Sequence, residues 1–331
     1  MIRRPPRSTL DRSSAASDVY KRQIKKRSTA EAVLSELKDK HPLPELILSY
    51  RKLYKLKNTY LDPLPSYIIA DTQRVHSSFN QTMTATGRLS TSSPNFQNIP
   101  IRTEDGKEIR KAIKAQSNEY QIFSADYSQV ELRVMAHLSG DESLISALNN
   151  GEDIHTFTAK NIFNVDNDDM VLPEMRRIAK IVNFGIMYGV SAFGLSQQTD
   201  LSRTESKELI EKYYDTYDDL NNYIKNQIDK ARELGFVETI LGRRRYLRNI
   251  LSQNAVVRSS DERNAINAPI QGSAADIIKI AMINIFDELE KKQLNSKMIL
   301  QVHDELVFEV INEEIKELSN IVKEKMQNAY K

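Results

Sequence analysis

The sequence predicts an α+β fold on three observations. Most of 173–236 and the stretches 260–290 and 313–330 show the apolar periodicity of helices. Strand-like apolar runs occur at 121–126 and again at 297–310, where two short strands flank a polar turn. The helices and strands therefore come in separate blocks with no internal repeat, and this order is typical of α+β proteins.

The first 23 residues, MIRRPPRSTLDRSSAASDVYKRQ, differ from the rest of the chain, since they are rich in Arg and Ser and lack apolar periodicity. An organellar transit peptide shares this bias, but Asp11 and Asp18 fit such a peptide poorly. A disordered tail is a second interpretation. We favour a third, a non-native leader such as translated adapter sequence, and leave 1–23 out of the fold prediction.

Two helices are predicted next, followed by a long loop and a third helix. The first helix opens near Glu31, whose charge suits a helix N-terminus. The second covers about 46–57, and its candidate core positions are Ile47, Leu48, Leu53 and Leu56. Residues 82–102 are dense in Thr, Ser, Asn, Pro and Gly, which indicates a loop. After the strand at 121–126, a helix begins near Ser128 and continues past Leu138.

The composition is that of an ordinary globular protein. With 331 residues, 40% of them hydrophobic and 28% charged, the chain can form a sizeable core and more than one packing unit. No apolar run approaches the roughly 18 residues that span a bilayer, so no membrane association is expected. Cysteine is absent, which excludes disulfides and cysteine-ligated zinc and fits a reducing compartment.

The net charge of +2 does not by itself indicate a nucleic-acid-binding protein. Local basic clusters are more informative. Their members are Arg176, Arg177 and Lys180, and Arg243, Arg244 and Arg245. Gly242, just before the second cluster, indicates a turn, and 164–170 is predicted to be an acidic linker.

Two carboxylate sites lie far apart in the sequence. Asp126 ends an apolar strand, and Asp304 and Glu305 occupy the turn between two others. If these strands share a sheet, Asp126 and Asp304 can converge, and paired carboxylates are hard oxygen ligands suited to Mg²⁺. Two such ions, about 3.5–4 Å apart, can hold the attacking and leaving oxygens of an in-line phosphoryl transfer. The alternative is that these acids are merely solvated at a strand turn.

One predicted helix carries a stripe of cations and aromatic rings. Its members, each four residues apart, are Arg176, Lys180, Phe184 and Tyr188. At about 3.6 residues per turn they share one slowly drifting face. The residues that can pack inward from the other faces are Ile178, Ile181, Val182 and Ile186. Cations suit phosphates and rings suit bases, so the stripe fits a nucleoside triphosphate laid along the helix. The alternative is an amphipathic surface helix with solvated cations.

A third pattern is the polar stripe of Arg263, Asn267 and Gln271, again four residues apart, with Pro269 inside the same helix. The minor groove of DNA presents acceptors common to all base pairs. Donor side chains can therefore check the geometry of a base pair without reading its sequence. The alternative is a solvent-facing polar helix, which these three residues alone favour.

Several segments resemble motifs of the family A DNA polymerases, and together they cover about residues 24–331 in the family's order. They are 84–90 (TATGRLS) with 95–100 (NFQNIP), 126–133 (DYSQVELR), 176–189 (RRIAKIVNFGIMYG), 267–272 (NAPIQG) and 301–305 (QVHDE). The segments 126–133, 176–189 and 301–305 are similar to motifs A, B and C of the family. Several long motifs in register are far more specific than any one of them.

The resemblance implies a right-hand polymerase core with an antiparallel palm sheet, helical fingers and a truncated helical thumb. Residues 24–70 would be a remnant of the thumb, 71–150 the first part of the palm, 151–252 the fingers, and 253–331 the second part of the palm. The C-terminus is expected to be truncated, because the family continues past its last helix. No proofreading activity is expected from this chain.

The resemblance also implies a role for each candidate residue. Asp126 and Asp304 would be ligands of two Mg²⁺ ions, with Glu305 as a supporting acid. The residues expected to bind the nucleotide are Arg176, Lys180, Phe184, Tyr188, Glu131, Gln129 and His303. Glu131 would be the steric gate that leaves no room for a ribose 2′-hydroxyl. The residues expected on the primer-template side are Arg88, Asn98, Arg263, Asn267 and Gln271, with His303 beside them.

The implied reaction is attack of a primer 3′-hydroxyl on the α-phosphate of a deoxynucleoside triphosphate, with release of pyrophosphate. Lys180 is counted with the catalytic residues on the hypothesis that it gives a proton or charge to the leaving pyrophosphate. The expected partners are primer-template DNA and deoxynucleoside triphosphates. The expected setting is a monomer in the bacterial cytoplasm, associated with the nucleoid, in DNA replication and repair.

Three rival interpretations remain at this point. An RNA-synthesising relative would share the metal ions, but Glu131 argues against it because a bulky gate excludes ribose. A metal-dependent nuclease would use paired acids yet has no need of a triphosphate stripe. A catalytically silent DNA-binding fragment would keep the basic surfaces and lose turnover through truncation.

Overall fold

The structure is a computed structural model that describes residues 28–100 and 103–330. The chain divides into two compact units, the first ending at Val75 and the second beginning at His76. The predicted leader, residues 1–23, lies outside the described residues, so its interpretation stays a prediction. Among the residues that are described, no helix is both long and apolar enough to cross a membrane.

The first unit is helical and ends in a small hairpin. Its elements are α1 (Glu31–Glu36), α2 (Pro42–Leu56), a π-helical turn (Lys57–Leu61), a 3-10 turn (Leu64–Tyr67) and the paired strands β1 (Ile68–Ile69) and β2 (Arg74–Val75). Helix α2 starts earlier than predicted because Pro42 occupies its first turn and the His41 imidazole accepts the Leu43 N–H at 3.0 Å. The prediction of Leu53 as a core residue is wrong, since it is exposed within this unit, whereas Leu56 is buried.

The second unit mixes helices with short strands, which confirms the predicted α+β class. Its elements are β3 (Ser78–Asn80), β4 (Ser90–Ser92), α3 (Glu104–Arg110), β5 (Tyr120–Asp126), α4 (Val130–Ser139), α5 (Glu142–Asn149), α6 (Ile154–Phe163), α7 (Pro173–Met187), α8 (Ala192–Ser196), α9 (Arg203–Thr216), α10 (Asp218–Leu234), β6 (Phe236–Glu238), β7 (Arg244–Tyr246), α11 (Ala255–Lys291), β8 (Lys297–Val302), β9 (Glu305–Ile311) and α12 (Ile315–Gln327).

A three-stranded antiparallel sheet with the order β5-β9-β8 is the centre of one core. Its middle strand β9 buries Leu306, Phe308 and Val310 completely. They belong to one apolar cluster with residues of α11 and α12. Because β9 alternates large apolar residues on its covered face, its register against β5 is fixed by packing. The sheet confirms the strands predicted at 121–126 and 297–310.

A larger core lies among the helices α4 to α11. Its largest fully buried side chains include Leu132, Met135, Leu144, Ile154, Ile162, Ile186, Tyr213, Tyr217 and Leu220. Helix α7 contributes the face predicted to pack inward, with Ile178, Val182 and Ile186 buried and Ile181 partly buried. This packing leaves the opposite face of α7 at the surface, and Arg176 and Lys180 lie on that exposed face.

Candidate active site

The antiparallel pairing of β5 with β9 brings the two carboxylate sites together. Asp126 is the last residue of β5 and lies opposite Glu305, the first residue of β9. Asp304 lies in the turn between β8 and β9, and its backbone carbonyl accepts a hydrogen bond from the Tyr127 N–H at 3.2 Å. The strands therefore share a sheet, as the convergence of Asp126 and Asp304 required, and both acids lie at the same end of it.

These acids are in a poor environment for negative charge. Burial raises the pKa of Asp304 to about 6; the Arg88 guanidinium opposes this rise, and the Glu131 and Asp126 carboxylates add to it. Burial and the Glu305 carboxylate also raise the pKa of Asp126. A bound cation would relieve this repulsion.

The carboxylate oxygens of Asp126 and Asp304 suit a hard divalent cation, but they do not provide a complete coordination sphere. No cluster of three or more His, Asp or Glu side chains stands ready to hold a metal ion among the residues described. Asp126 and Asp304 instead offer two carboxylates at one sheet end. Mg²⁺ is commonly held by one or two carboxylates, with substrate phosphates and water completing its coordination. The residues present therefore fit Mg²⁺ as a group shared with a phosphate ligand.

Glu131 links the sheet end to helix α7. It is buried in the first turn of α4 and accepts a hydrogen bond from Arg88 Nη2 on Oε1 at 2.6 Å and one from the Tyr188 hydroxyl on Oε2 at 2.9 Å. Arg88 Nη2 also lies 3.9 Å from Asp304 Oδ1. Burial, strengthened by the Glu131 carboxylate, raises the pKa of Tyr188 to about 12. One cation and one neutral phenol therefore hold Glu131 in place beside the acids.

Helix α7 presents the predicted stripe with two changes. Tyr188 follows the last helical residue, Met187, and Phe184 is half-buried rather than exposed. Arg176 donates to Asp153 Oδ2 through Nε at 2.8 Å and Nη2 at 2.5 Å. Although burial opposes it, this pairing helps to lower the pKa of Asp153. Arg176 is therefore held by a carboxylate that a phosphate would have to replace.

Sequence reasoning missed Asp153 and His155, which lie at the start of α6 next to this stripe. Asp153 caps α6 by accepting the backbone N–H groups of His155 and Thr156. The His155 ring lies 5.7 Å from that of Phe184, and burial lowers the pKa of His155. An Asp directly before a helix was a readable cap signal. Its pairing with Arg176 was not readable, because that contact spans 23 positions.

The third stripe lies on α11, which continues through Pro269 over 37 residues. Arg263 is exposed, while Asn267 and Gln271 are half-buried. The side chain of Arg263 passes close to Gly189, where an added Cβ would lie 2.6 Å from Arg263 Cγ. The end of the α7 segment and the polar stripe of α11 are therefore neighbours in space.

The remaining candidates are Gln129, His303 and Asn98. Gln129 precedes α4 with φ 54°, and His303 occupies the β8–β9 turn with φ 53°. Both are non-glycine residues in the left-handed region, a conformation that costs on the order of 1 kcal/mol. Asn98 is exposed in a 3-10 turn, whose Gln97 donates to the Gln301 carbonyl at 3.1 Å. Gln97 was missed in the sequence, and it ties this loop to β8.

Comparisons with known proteins agree with one another. The family model described as DNA polymerase family A matches residues 10–331. The thermostable DNA polymerase I of Thermus filiformis is 50% identical over 305 residues, which is 92% of this chain and 36% of that protein. The DNA polymerase I of Bacillus subtilis is 48% identical over 302 residues, which is 91% of this chain and 34% of that protein. The chain thus spans about a third of the length of these relatives.

A solved structure is similar over the same extent. The POL domain of Pol1 from M. smegmatis, in complex with DNA primer-template and dNTP, is 48% identical, with a TM-score of 0.87 over 92% of this chain and 53% of that one. Fold, sequence and the family model agree over nearly the whole length, and the chain belongs to DNA polymerase family A.

Proposed function

We infer that this chain is the polymerising part of a template-directed DNA polymerase, which adds deoxynucleotides to a primer 3′ end by two-metal phosphoryl transfer. One observation carries the proposal: β5 pairs with β9 so that Asp126 and Asp304 meet at one sheet end. The Arg88–Glu131–Tyr188 network lies beside them. Membership of family A and the similar structure in complex with primer-template and dNTP support the assignment of partners.

Asp126 and Asp304 would hold two Mg²⁺ ions, which supply charge neutralisation at the attacking and leaving oxygens of the transfer. Glu305, across the strand pair from Asp126, would support their charge. The raised pKa values of both aspartates fit a place where bound cations offset crowded carboxylates. The contribution of the protein is then mainly the positioning of the two substrates.

The nucleotide would lie along the exposed face of α7. Arg176 and Lys180 would bind its phosphates, and Phe184 would lie near its sugar and base. Tyr188 would lie beside the template position. For Arg176 this requires an exchange of Asp153 for phosphate oxygens. Lys180 would further give a proton or charge to the leaving pyrophosphate.

Discrimination against ribonucleotides would come from Glu131. Its carboxylate is fixed by Arg88 and Tyr188, so its position is set before any substrate arrives. A fixed side chain excludes a 2′-hydroxyl more effectively than a mobile one, because it does not yield. Gln129 and His303 would complete the nucleotide site from the two segments that also position Asp126 and Asp304.

The DNA would contact Arg88, Asn98, Arg263, Asn267 and Gln271. In this proposal 24–70 is part of a thumb, 71–150 and 253–331 form the palm, and 151–252 form the fingers. The minor-groove acceptors common to all base pairs suit the amide donors of Asn267 and Gln271. The same proposal includes a monomeric state, action on bacterial nucleoid DNA in replication and repair, and no proofreading activity in this chain.

A second candidate is a DNA-binding piece without turnover. The chain spans 34–36% of the length of its polymerase relatives. This candidate keeps the DNA contacts and differs only in the rate of nucleotide addition.

Primer extension by the purified chain with Mg²⁺ and all four deoxynucleotides tests the proposal, with Asp304→Asn as the control. Extension by the unmodified chain that Asp304→Asn abolishes supports polymerisation at this site. A folded chain that binds primer-template without extending it supports the second candidate. Shortening of the primer in the absence of nucleotides indicates a nuclease and contradicts both.

A further inference from the structure

The residue before Arg88 is held from two sides. Gly87 is buried with φ +80°, and an added Cβ would lie 2.7 Å from Arg243 Nε and 2.9 Å from Arg243 Cζ. The Arg243 guanidinium therefore lies directly against the Gly87 backbone. On the other side, Lys279 Nζ donates to the Gly87 carbonyl at 2.5 Å. A residue with a Cβ would be strained at this φ and would have to displace the Arg243 guanidinium.

Arg243 is itself fixed by a buried acid. Its Nε and Nη2 donate to Asp276 Oδ1 at 2.8 Å and 2.6 Å, and the Thr239 hydroxyl donates to Asp276 Oδ2 at 2.8 Å. Asp276 is only 5% exposed. Burial, together with repulsion from Arg243, lowers the pKa of Lys279. Arg243 is thus paired with a buried carboxylate, while Lys279 is held by its hydrogen bond to the Gly87 carbonyl.

Asp276 and Lys279 belong to helix α11, which also contacts the loop at a second point. An added Cβ on Gly272 would lie 2.6 Å from Thr239 Cγ2 and 3.3 Å from the Thr86 carbonyl, so the β6–β7 hairpin and the loop both pack closely on α11. Thr84 closes the loop by donating its hydroxyl to the Arg88 carbonyl at 2.6 Å. The backbone of 84–88 is therefore fixed by α11.

We propose that Arg243, Asp276 and Lys279 are positioning residues for the polymerisation reaction, which hold Gly87 so that the Arg88 guanidinium reaches Glu131 and Asp304. This inference rests on the proposed function, because the reaction in which Arg88 takes part belongs to it. The three residues act through the backbone of the loop and through Arg88. A long arginine side chain reaches a site reproducibly only when its own backbone is held, and a shift of about 1 Å can cost about 100-fold in rate.

A double-mutant cycle tests the coupling. Arg88→Ala, Arg243→Ala and the double variant are compared in single-turnover addition of one nucleotide at saturating DNA and nucleotide. Arg243→Ala is expected to lower the rate constant about tenfold, and to lower it no further when Arg88 is already Ala. Full additivity of the two effects would overturn the proposal. The amplitude reports the folded fraction, so a loss of amplitude at an unchanged rate constant indicates only a structural role and also overturns it.

Arg232→Ala is the matched control. The Arg232 side chain is 44% exposed and ion-paired to Asp229 and Glu262, while that of Arg243 is 43% exposed and paired to Asp276. Arg232 has no described contact with the loop that precedes Arg88. The Arg232→Ala variant is expected to have a rate constant within about twofold of that of the unmodified chain, because exposed ion pairs contribute little to stability.

A second measurement does not depend on turnover. Amide hydrogen exchange in a peptide spanning 84–88 is compared between the unmodified chain, Arg243→Ala, Lys279→Met and Arg232→Ala without substrate. In Arg243→Ala and Lys279→Met, the amides of 84–88 are expected to exchange several-fold faster than in the unmodified chain. In Arg232→Ala their exchange rate is expected to be unchanged. Unchanged exchange in folded Arg243→Ala and Lys279→Met overturns the proposal. If exchange in 84–88 is faster in Arg243→Ala and Lys279→Met but the unmodified chain never extends primers, the proposed function alone is contradicted.

Discussion

Arg88 and Glu131 form a short ion pair beside the paired aspartates, with Nη2 and Oε1 separated by 2.6 Å and the Glu131 side chain only 9% exposed. Because Glu131 also accepts the Tyr188 hydroxyl, its carboxylate is held from both ends. Removal of the Glu131 carboxylate would leave the Arg88 guanidinium and the Tyr188 hydroxyl without this hydrogen-bond acceptor. Glu131 is therefore both the proposed gate residue and the buried partner of two side chains.

Glu131→Ala is expected to raise ribonucleotide use relative to deoxynucleotide use by about 100-fold or more, because the fixed carboxylate no longer fills the space of a 2′-hydroxyl. It is also expected to cost about 1–3 kcal/mol of unfolding free energy, since Arg88 is left without its buried partner. The ratio of kcat/KM for the two nucleotides and a denaturant titration measure the two effects. Glu142→Ala, another first-turn acid but an exposed one, should change neither. A ratio unchanged in Glu131→Ala would contradict the gate.

The raised pKa of Asp304, about 6, makes the metal-free protein pH-sensitive in a definite direction. An ordinary Asp titrates near 3.9. Between these values the folded state binds more protons than the unfolded state, so the Asp304 contribution to the unfolding free energy falls as pH rises from about 4 to about 6. Above that range the charged carboxylate destabilises the fold by about 2–3 kcal/mol.

Asp304→Asn removes this charge. In EDTA, its unfolding free energy should exceed that of the unmodified chain by about 2–3 kcal/mol at pH 7, and the difference should shrink towards zero near pH 4. Denaturant titrations across this range measure it. The exposed Asp166→Asn serves as the control and should show no such trend. A difference for Asp304→Asn that is the same at pH 4 and pH 7 would refute the assignment.

Lys180 is exposed on α7, between Arg176 and Phe184. If it gives a proton or charge to the leaving pyrophosphate, Lys180→Ala should lower the single-turnover rate constant by about 100-fold and nucleotide affinity by much less. Rapid-quench measurements over a range of nucleotide concentrations separate the two. Lys207→Ala, an exposed lysine on α9, is the control. A loss confined to affinity would reduce Lys180 to a phosphate ligand.

Phe184 offers a test of how the nucleotide lies on α7. If the ring lies against the sugar of the nucleotide, a ring hydroxyl can stand in for the 3′-hydroxyl that a dideoxynucleotide lacks. Phe184→Tyr is therefore expected to increase chain termination at a fixed ratio of dideoxy- to deoxynucleotide. The control is Phe193→Tyr, an exposed ring on α8. Unchanged terminator use by an active Phe184→Tyr enzyme would count against this placement of the nucleotide.

The sequence was informative where a local pattern encodes the structure. The strand of Asp126 and the hairpin around Asp304 are short alternating apolar runs, and helix α7 has a clear inward face. The pairing of Asp126 with Glu305 was not readable, because the register of strands about 180 positions apart is set by the packing of Phe308 and its neighbours.

Long-range polar contacts were the main omission. The Arg176–Asp153 and Arg243–Asp276 pairs join residues on different elements, and no periodicity marks them. The sequence grouped Arg243 with its neighbours as a basic cluster for nucleic acid. In the structure, Arg243 is paired with Asp276 and Arg244 with Glu238. Charge counted along the chain therefore overstates the cations available to a ligand.

Tyr213 and Tyr217 give a matched pair for the stability of the helical core. Both are 0% exposed, and their rings lie 4.8 Å apart. The Tyr217 hydroxyl lies 2.9 Å from the Thr158 hydroxyl, in a buried network with Asn183 and His155. The Tyr213 hydroxyl is also buried, but it has no hydrogen-bond partner in the described part of the chain.

Tyr217→Phe should therefore lower the unfolding free energy, whereas Tyr213→Phe should leave it unchanged or raise it. Tyr217→Phe removes a satisfied buried hydrogen bond and should cost about 1–2 kcal/mol of unfolding free energy. Tyr213→Phe removes a polar atom that already bears a desolvation cost, so it should be neutral or stabilise by up to about 1 kcal/mol. Denaturant titrations of both variants measure this at fixed apolar volume. Equal losses would mean that the Tyr213 hydroxyl has a partner, such as a buried water, and that the core is held by a larger polar network than the one around Tyr217.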